Sequence, residues 1–310
     1  MFKPNESELQ RNTNKVKKYV KLLEKHLGND FKVIGILEIG SFAKGEAVPT
    51  SDCDTRVFVY SPKYYAWQLS GGRATDRIMS QLENQYKRMT KKEGVLPRKE
   101  FEWFSFNNPI ADKIKKIIKI NVEFGIADYR FSSFCLNESD KLPTYEISLL
   151  FQSNIIYDPN GCLKTLRKKF SDKKPKATTR FYRQNCINKV PEELYSHLQS
   201  HKYDLLKLKK SHQIQWVKWA VRCLRDVVAV KEYIRTGRFI YKKSEVLKYY
   251  KKNLPSFYKD ISEIYSWKCD PEKREEMSKM FIKNQNSLFE KFKIKTKIIE
   301  KIIKAIKSFP

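Results

Sequence analysis

The feature that most limits the fold is a pair of apolar runs separated by a short passage of turn-forming residues. The first run extends over Val33–Ile39 and ends at Gly40-Ser41, and the second, Thr55–Tyr60, follows the sequence Ser51-Asp52-Cys53-Asp54. Glycine and proline lie between the two runs, and this pattern predicts a strand, a tight turn and a second strand. The sequence therefore predicts that a sheet begins near the N-terminus.

The two aspartates before the second run are the first candidate site residues. Asp52 and Asp54 lie two residues apart, and alternate residues of a strand point to the same face, so both carboxylates can reach one ion. Such carboxylate oxygens suit Mg²⁺, which proteins usually bind through one or two carboxylates together with substrate phosphates. Gly40 lacks a side chain and lets the backbone come close to a ligand. The alternative interpretation is a surface turn with two solvated aspartates.

A third acidic residue is expected on a neighbouring strand. Between Ile117 and Ile126, apolar residues alternate with polar ones, which is typical of a half-buried strand and places Glu123 on its polar face. Asp128 is the alternative, and it lies beyond Gly125, where the strand is expected to bend away. The segment 153–166 predicts a further short strand, a Pro-Asn-Gly turn and a helix.

Charge and composition restrict the class of protein. The chain has 310 residues, and 63 Lys and Arg against 35 Asp and Glu give a net charge of +28. Such a charge attracts nucleic acid, nucleotides or anionic membranes, although lysines on solvated helix faces would give the same total. Six scattered cysteines without a C-x-x-C pair, and no signal-peptide pattern, predict reduced thiols in a cytoplasmic protein. No apolar run is long enough to span a membrane.

The absence of two motifs argues against two enzyme classes. The chain has no G-x-x-x-x-G-K-[ST] loop, which a P-loop NTPase requires, and no G-x-S-x-G elbow, which marks many serine hydrolases.

The remainder of the chain is predicted to be mainly helical. The polar, proline-containing segment 171–178 marks the domain boundary, which gives one domain at 1–172 and a second at 179–310. Pro271 is expected to open either one long final helix or a pair of helices. Further helices are predicted at 7–27, 75–89, 191–208, 214–236, 244–250 and 256–265, and a further strand at 101–106.

The residues around the first turn carry a resemblance to a known superfamily. Gly40-Ser41 at a strand end, Gly45, Ser51, and the pair Asp52 and Asp54 entering the next strand resemble the active-site signature of the DNA-polymerase-β-like nucleotidyltransferases. In plan, the chain is similar to the bacterial antibiotic nucleotidyltransferases of the aminoglycoside type. The resemblance implies an α+β fold, with a catalytic domain of mixed sheet and flanking helices followed by an all-helical acceptor-binding domain.

The resemblance also implies a reaction, the transfer of a nucleoside monophosphate from Mg-NTP to an acceptor hydroxyl with release of pyrophosphate. The donor is expected to be ATP. The implied catalytic and metal-binding residues, with Mg²⁺ or Mn²⁺ as the metal, are Asp52, Asp54 and Glu123. The implied nucleotide-binding residues are Gly40, Ser41, Lys44 and Ser51.

Three hypotheses are open for the function, two of which differ in the acceptor. A small molecule such as an aminoglycoside-type antibiotic follows from the similarity in plan, although a polycationic drug requires an acidic pocket. Nucleotide addition to RNA, for instance a tRNA end, suits the basic charge, and addition to a protein is known among toxin-like members of the superfamily. The third hypothesis is a non-catalytic nucleic-acid-binding protein on the same fold.

Overall fold

A computed structural model describes residues 3–67, 109–130, 132–133, 150, 152–171, 215–236 and 238–308 of the chain. Over these residues the protein is α+β, with a four-stranded mixed sheet followed by a mostly helical C-terminal region, as predicted. The chain separates into two compact units, Met1–Lys174 and Pro175–Pro310. The predicted boundary segment lies outside the described residues except for Ser171, as do the predicted helices at 75–89 and 191–208 and the strand at 101–106.

The sheet of the first unit has the strand order β3–β2–β1–β4. Strand β1, Lys32–Glu38, pairs antiparallel with β2, Cys53–Tyr60, and on its other edge with β4, Asn154–Tyr157. Strand β3, Val122–Asp128, pairs parallel with β2. The two strands predicted on either side of the signature are thus confirmed, and β2 begins early enough to include Asp54.

One face of the sheet packs on the N-terminal helices. The single helix predicted over 7–27 is two helices, α1 at Glu8–Arg11 and α2 at Thr13–Leu27. The break occurs because the Asn12 side chain accepts the Lys15 N–H at 3.1 Å and caps α2. Apolar side chains at helical spacing on α2 are buried in one core with strand residues: Val16, Tyr19, Val20 and Leu23.

The prediction of a tight turn between β1 and β2 is wrong. The connection contains a short helix, α3, at Gly40–Lys44, which ends where Gly45 adopts a left-handed conformation with φ 69°. The apolar residues Phe42 and Ala43 are buried, so packing favours a helical turn over an extended loop. After β2, the chain enters helix α4 at Pro62–Trp67.

The prediction of one strand over 117–126 is also wrong. Helix α5, Pro109–Ile118, occupies its beginning, and Lys119 then turns the chain with φ 55° before β3 starts. Ile118 and Ile120 are both buried, so their alternation reflects two core contacts on either side of a turn. Strand β3 continues to Asp128, and the bend expected after Gly125 does not occur.

The strand, turn and helix predicted at 153–166 are confirmed. Strand β4 leads into a turn in which Gly161 adopts φ 68°, and helix α6 follows at Cys162–Ser171. The Asp158 carboxylate accepts the N–H groups of Leu163 and Lys164 at 3.2 and 3.0 Å. The acidic residue of this turn therefore caps α6.

The described part of the second unit is built of helices that share an aromatic core. Trp216 stacks on Phe292 with ring centroids 4.2 Å apart and donates its indole N–H to Thr296 at 3.1 Å. Pro271 is the first residue of its helix, as predicted, and Asp270 caps it. A second helix begins at Gln285, so the last segment is a pair of helices. The helices are α7 Gln215–Thr236, α8 Lys243–Asn253, α9 Tyr258–Cys269, α10 Pro271–Lys283 and α11 Gln285–Ser308, with a 3₁₀ turn at Pro255–Phe257 before α9.

None of the helices in the described ranges combines the length and the apolar character that crossing a bilayer requires.

Candidate metal centre

Three carboxylates converge where strands β2 and β3 begin. Asp54 and Glu123 lie directly opposite each other in the parallel register, and Asp52 immediately precedes β2. One carboxylate oxygen from each residue lies within 4.8 Å of the other two. All three side chains are half-buried, so they keep contact with solvent. The structure thus brings together the three acidic residues that the sequence analysis named.

Backbone hydrogen bonds hold the start of β2 on both sides. The Cys53 N–H donates to the Asn121 carbonyl at 2.7 Å, and the Ile39 N–H donates to the Asp54 carbonyl at 2.8 Å. Because side chains alternate along a strand, Cys53 then points to the core face and Asp54 to the opposite face. The carboxylate positions therefore follow from strand pairing as well as from residue type.

A buried polar pair supports the junction from the core side. The Thr55 hydroxyl donates to the Glu123 carbonyl at 3.1 Å and lies 2.9 Å from the Tyr19 hydroxyl. Burial raises the pKa of the Tyr19 phenol above its ordinary value, so this hydroxyl stays protonated. Helix α2 is thereby tied to the residue that aligns β2 with Glu123.

A fourth carboxylate, which the sequence analysis did not name, lies beneath the site. Glu38 is fully buried at the end of β1, where it accepts the Cys53 thiol at 3.4 Å and the Asn154 side-chain amide at 3.0 Å. Burial and then the Glu38 charge raise the pKa of Cys53 well above its ordinary value, which keeps the thiol protonated as a donor. Only the apolar residues around Glu38 in the sequence could have indicated its burial.

Gly40 is required by both its backbone and its neighbour. Its φ is 73°, a left-handed conformation, and a Cβ at this position would lie 1.9 Å from Oδ2 of Asp54. The close backbone approach predicted at Gly40 is therefore an approach to the Asp54 carboxylate itself.

The other predicted nucleotide-binding residues lie along the same connection. Ser41 and Lys44 are half-buried, in the second and last positions of the short helix that Gly40 begins. The Ser51 hydroxyl accepts the Val48 N–H at 2.9 Å, and the Ser51 N–H donates to the Val48 carbonyl at 2.8 Å. Ser51 therefore shapes the loop that delivers Asp52 to the site.

Asp128, the alternative third carboxylate, is engaged elsewhere. It lies five residues after Glu123 in the same strand, which places it on the opposite face of the sheet. It is fully buried and accepts the N–H groups of Ser61 and Arg130 at 2.9 and 2.8 Å, together with the Arg130 guanidinium. Asp128 therefore anchors the far end of β3 and does not join the acidic group.

Three carboxylates this close are a chemically demanding arrangement. Like charges within a few ångströms repel, and partial burial strengthens the repulsion. A divalent cation of the Mg²⁺ type prefers hard oxygen ligands and would offset the repulsion. The donor set of Asp52, Asp54 and Glu123 therefore fits such an ion.

Comparison of the chain with protein-family models finds no match, and comparison with curated proteins finds none either. The geometry of Asp52, Asp54 and Glu123 is consequently the main guide to function.

Proposed function

We propose that the chain is a metal-dependent nucleotidyltransferase that moves a nucleoside monophosphate from an NTP, here ATP, to an acceptor hydroxyl. The supporting observation is the convergence of three carboxylates within 4.8 Å, two from one strand start and one from its parallel neighbour. The Gly40-Ser41 bend that precedes them completes the resemblance to the DNA-polymerase-β-like nucleotidyltransferases.

The residues of the site have distinct proposed roles. Asp52, Asp54 and Glu123 would hold Mg²⁺ or Mn²⁺, which supplies charge stabilisation for the triphosphate and the leaving pyrophosphate. Glu123 has an alternative role, in which its carboxylate accepts the proton of the attacking hydroxyl. Ser41 and Lys44 contribute a hydroxyl donor and a cation to the phosphates.

The proposed acceptor is a small molecule of the aminoglycoside type, by similarity in plan. RNA is the second candidate acceptor, and the net charge of +28 favours it because a basic protein attracts a polyanion. The two classes of acceptor are distinguished by which of them receives the nucleotide from a labelled NTP.

The test is a panel of α-³²P-labelled NTPs, with Mg²⁺ or Mn²⁺, against total RNA, aminoglycosides and the protein itself. We expect label in one acceptor fraction and release of pyrophosphate. Asp52→Asn, Asp54→Asn and Glu123→Gln should each lower turnover by about 100-fold or more, because each removes a charge from the reacting centre.

Asp112→Asn is the matched control, because this aspartate lies on helix α5 of the same unit with 77% of its side chain exposed. It should turn over at the wild-type rate. Full activity of Asp52→Asn, or no labelled acceptor with any NTP, would contradict the proposal.

A further inference from the structure

Helix α11 of the second unit carries its lysines on two different faces. Lys291 and Lys295 point into the unit, where Lys291 pairs with Glu263 at 3.1 Å and Lys295 pairs with Asp260 at 2.7 Å. A second set is exposed to solvent, and we call it the lysine stripe: Lys293, Lys297, Lys301 and Lys304. Since the two sets differ in environment, the lysine stripe is the set of described α11 lysines that is most open to a partner.

The lysine stripe follows one line along the helix. Its members recur at intervals of four, four and three residues, so they fall on one face. At a rise of about 1.5 Å per residue, the stripe extends over about 16 Å with roughly 4–6 Å between successive cations. Between Lys293 and Lys304, Ile294 is the exposed apolar residue, with 60% of its surface accessible.

Most of this positive charge is not neutralised by acids in the described ranges. Lys293 pairs with Glu290 at 2.8 Å, whereas Lys297, Lys301 and Lys304 form no ion pair with a described acidic residue. Glu300 is the one acid in the sequence between Lys293 and Lys304, and it pairs with none of them. Glu300 lies three residues after Lys297 and four before Lys304, so it offsets part of their charge. Among the described residues of this helix segment, four lysines against Glu290 and Glu300 still leave a net positive row.

A membrane surface is a poor match for this helix. A helix that lies on a bilayer must free an apolar face to enter the acyl boundary. On α11 that face is already used inside the unit, since six of its large apolar residues are at most 4% exposed: Leu288, Phe292, Ile299, Ile302, Ile303 and Ile306.

We infer that the lysine stripe binds the phosphodiester backbone of a nucleic acid. A regular row of cations complements a chain of regularly spaced anions, and each neutralised phosphate releases a condensed counterion. Lysine acts as a point charge and has no planar group that reads bases. The half-buried Phe289 ring lies beside the stripe, with its centre 4.8 Å from the Lys293 ammonium, and stacking on an aromatic ring does not depend on which base stacks. Binding is therefore independent of base sequence. It requires no turnover, so it holds or fails separately from nucleotidyl transfer.

The experiment measures fluorescence anisotropy of a labelled oligouridylate with the full chain over a KCl series. The test variant is K297Q/K301Q/K304Q, since glutamine keeps the helix propensity of lysine and removes its charge. The control is K248Q/K251Q/K252Q, which removes three exposed lysines from α8 and lowers the net charge by the same amount. Asp52→Asn is included as a variant with an altered metal centre.

We expect the wild type and Asp52→Asn to bind alike. The α11 variant should lose affinity by about tenfold or more, and its plot of log K against log salt should be shallower by about 2, the value for three lost phosphate contacts on a single strand. The α8 variant should keep most of the slope, and oligoadenylate and single-stranded DNA should bind like oligouridylate.

Three results would overturn the inference. The first is an equal loss in the α8 variant, which would show that net charge alone attracts the nucleic acid. The second is a strong preference for one base sequence. The third is that the wild-type protein does not bind the oligonucleotides but binds phosphatidylserine vesicles through the same three lysines.

Discussion

At the scale of single residues, the candidate site depends on the absence of a side chain at Gly40. Its backbone is left-handed, and the space beside its Cα belongs to the Asp54 carboxylate. A substitution at Gly40 would therefore have two effects: it would strain the backbone, and it would displace a proposed metal ligand.

Gly40→Ala separates these effects when it is compared with Gly161→Ala. Gly161 has a similar φ of 68°, but a Cβ added there would have no atom within 4 Å, so its substitution causes strain alone. Each variant should lose about 1–2 kcal/mol of unfolding free energy from strain. Only Gly40→Ala should also lose the rise in melting temperature that Mn²⁺ causes in the wild type. Calorimetry measures the melting temperatures. If Mn²⁺ raises the melting temperature of Gly40→Ala as much as that of the wild type, Asp54 is not a ligand.

At the scale of elements, helices α9 and α11 are joined by a partly buried ion pair. Lys295 is 8% exposed and donates to Asp260 and Glu263, while its ammonium also lies 5.8 Å from the centre of the Trp267 ring. Burial acts to raise the pKa of Glu263, but the hydrogen bonds from Lys295 and Lys291 lower it below its usual value. Burial acts to lower the pKa of Lys295, but Asp260 and Glu263 raise it.

The sign of these shifts predicts how stability depends on pH. A lowered carboxyl pKa stabilises the fold above the ordinary value of 4.5, and the contribution is lost as pH falls through the folded value. Lys295→Met should therefore lower the unfolding free energy by about 1–2 kcal/mol at neutral pH, less than for a fully buried pair because both acids keep contact with solvent. Urea denaturation should show this difference from wild type shrinking at pH values below 4.5.

Lys293→Met is the control on the same helix, because its pair with Glu290 is exposed. It should change stability by less than about 0.5 kcal/mol at any pH. A difference between Lys295→Met and wild type that is constant through the acid range would show that the ion pair does not cause the effect.

Several elements were predictable because a short-range signal determines them. The burial of Val57 and Val59 follows from the apolar run, and the start of α10 follows from Asp270 and Pro271. Elements that depend on tertiary contacts could not be predicted from the sequence. The alternation before β3 fits either a strand or a helix end, and only the packing of Ile118 and Ile120 distinguishes them.

The same limit applied to the site. The convergence of Asp52 and Asp54 is a local consequence of strand periodicity and could be predicted. Glu123 was preferred over Asp128 from its context, and the parallel register places it opposite Asp54. The apolar neighbours of Glu38 favour burial, but its partners Cys53 and Asn154 belong to β2 and β4, which its own segment does not reveal.

At the scale of the whole molecule, the dominant property is a net charge of +28. Self-repulsion of so many cations disfavours the compact state, and salt screens it over about 10 Å at 0.1 M. Added KCl should therefore raise the melting temperature while it weakens nucleic-acid binding. NaCl should act like KCl if screening is the cause, and calorimetry in both salts checks this. A melting temperature that falls steadily with KCl would contradict the expected effect of charge.

The parallel pairing of β2 with β3 has a consequence for how the acidic centre forms. Asp54 and Glu123 face each other but are about 70 residues apart in sequence, and parallel strands can meet only through a crossover connection. We therefore expect the two halves of the centre to meet late in folding, because closing so long a loop costs conformational entropy. Binding of a cation should then report that this non-local contact is complete. In a refolding experiment, Mn²⁺ uptake should therefore appear later than the helical signal.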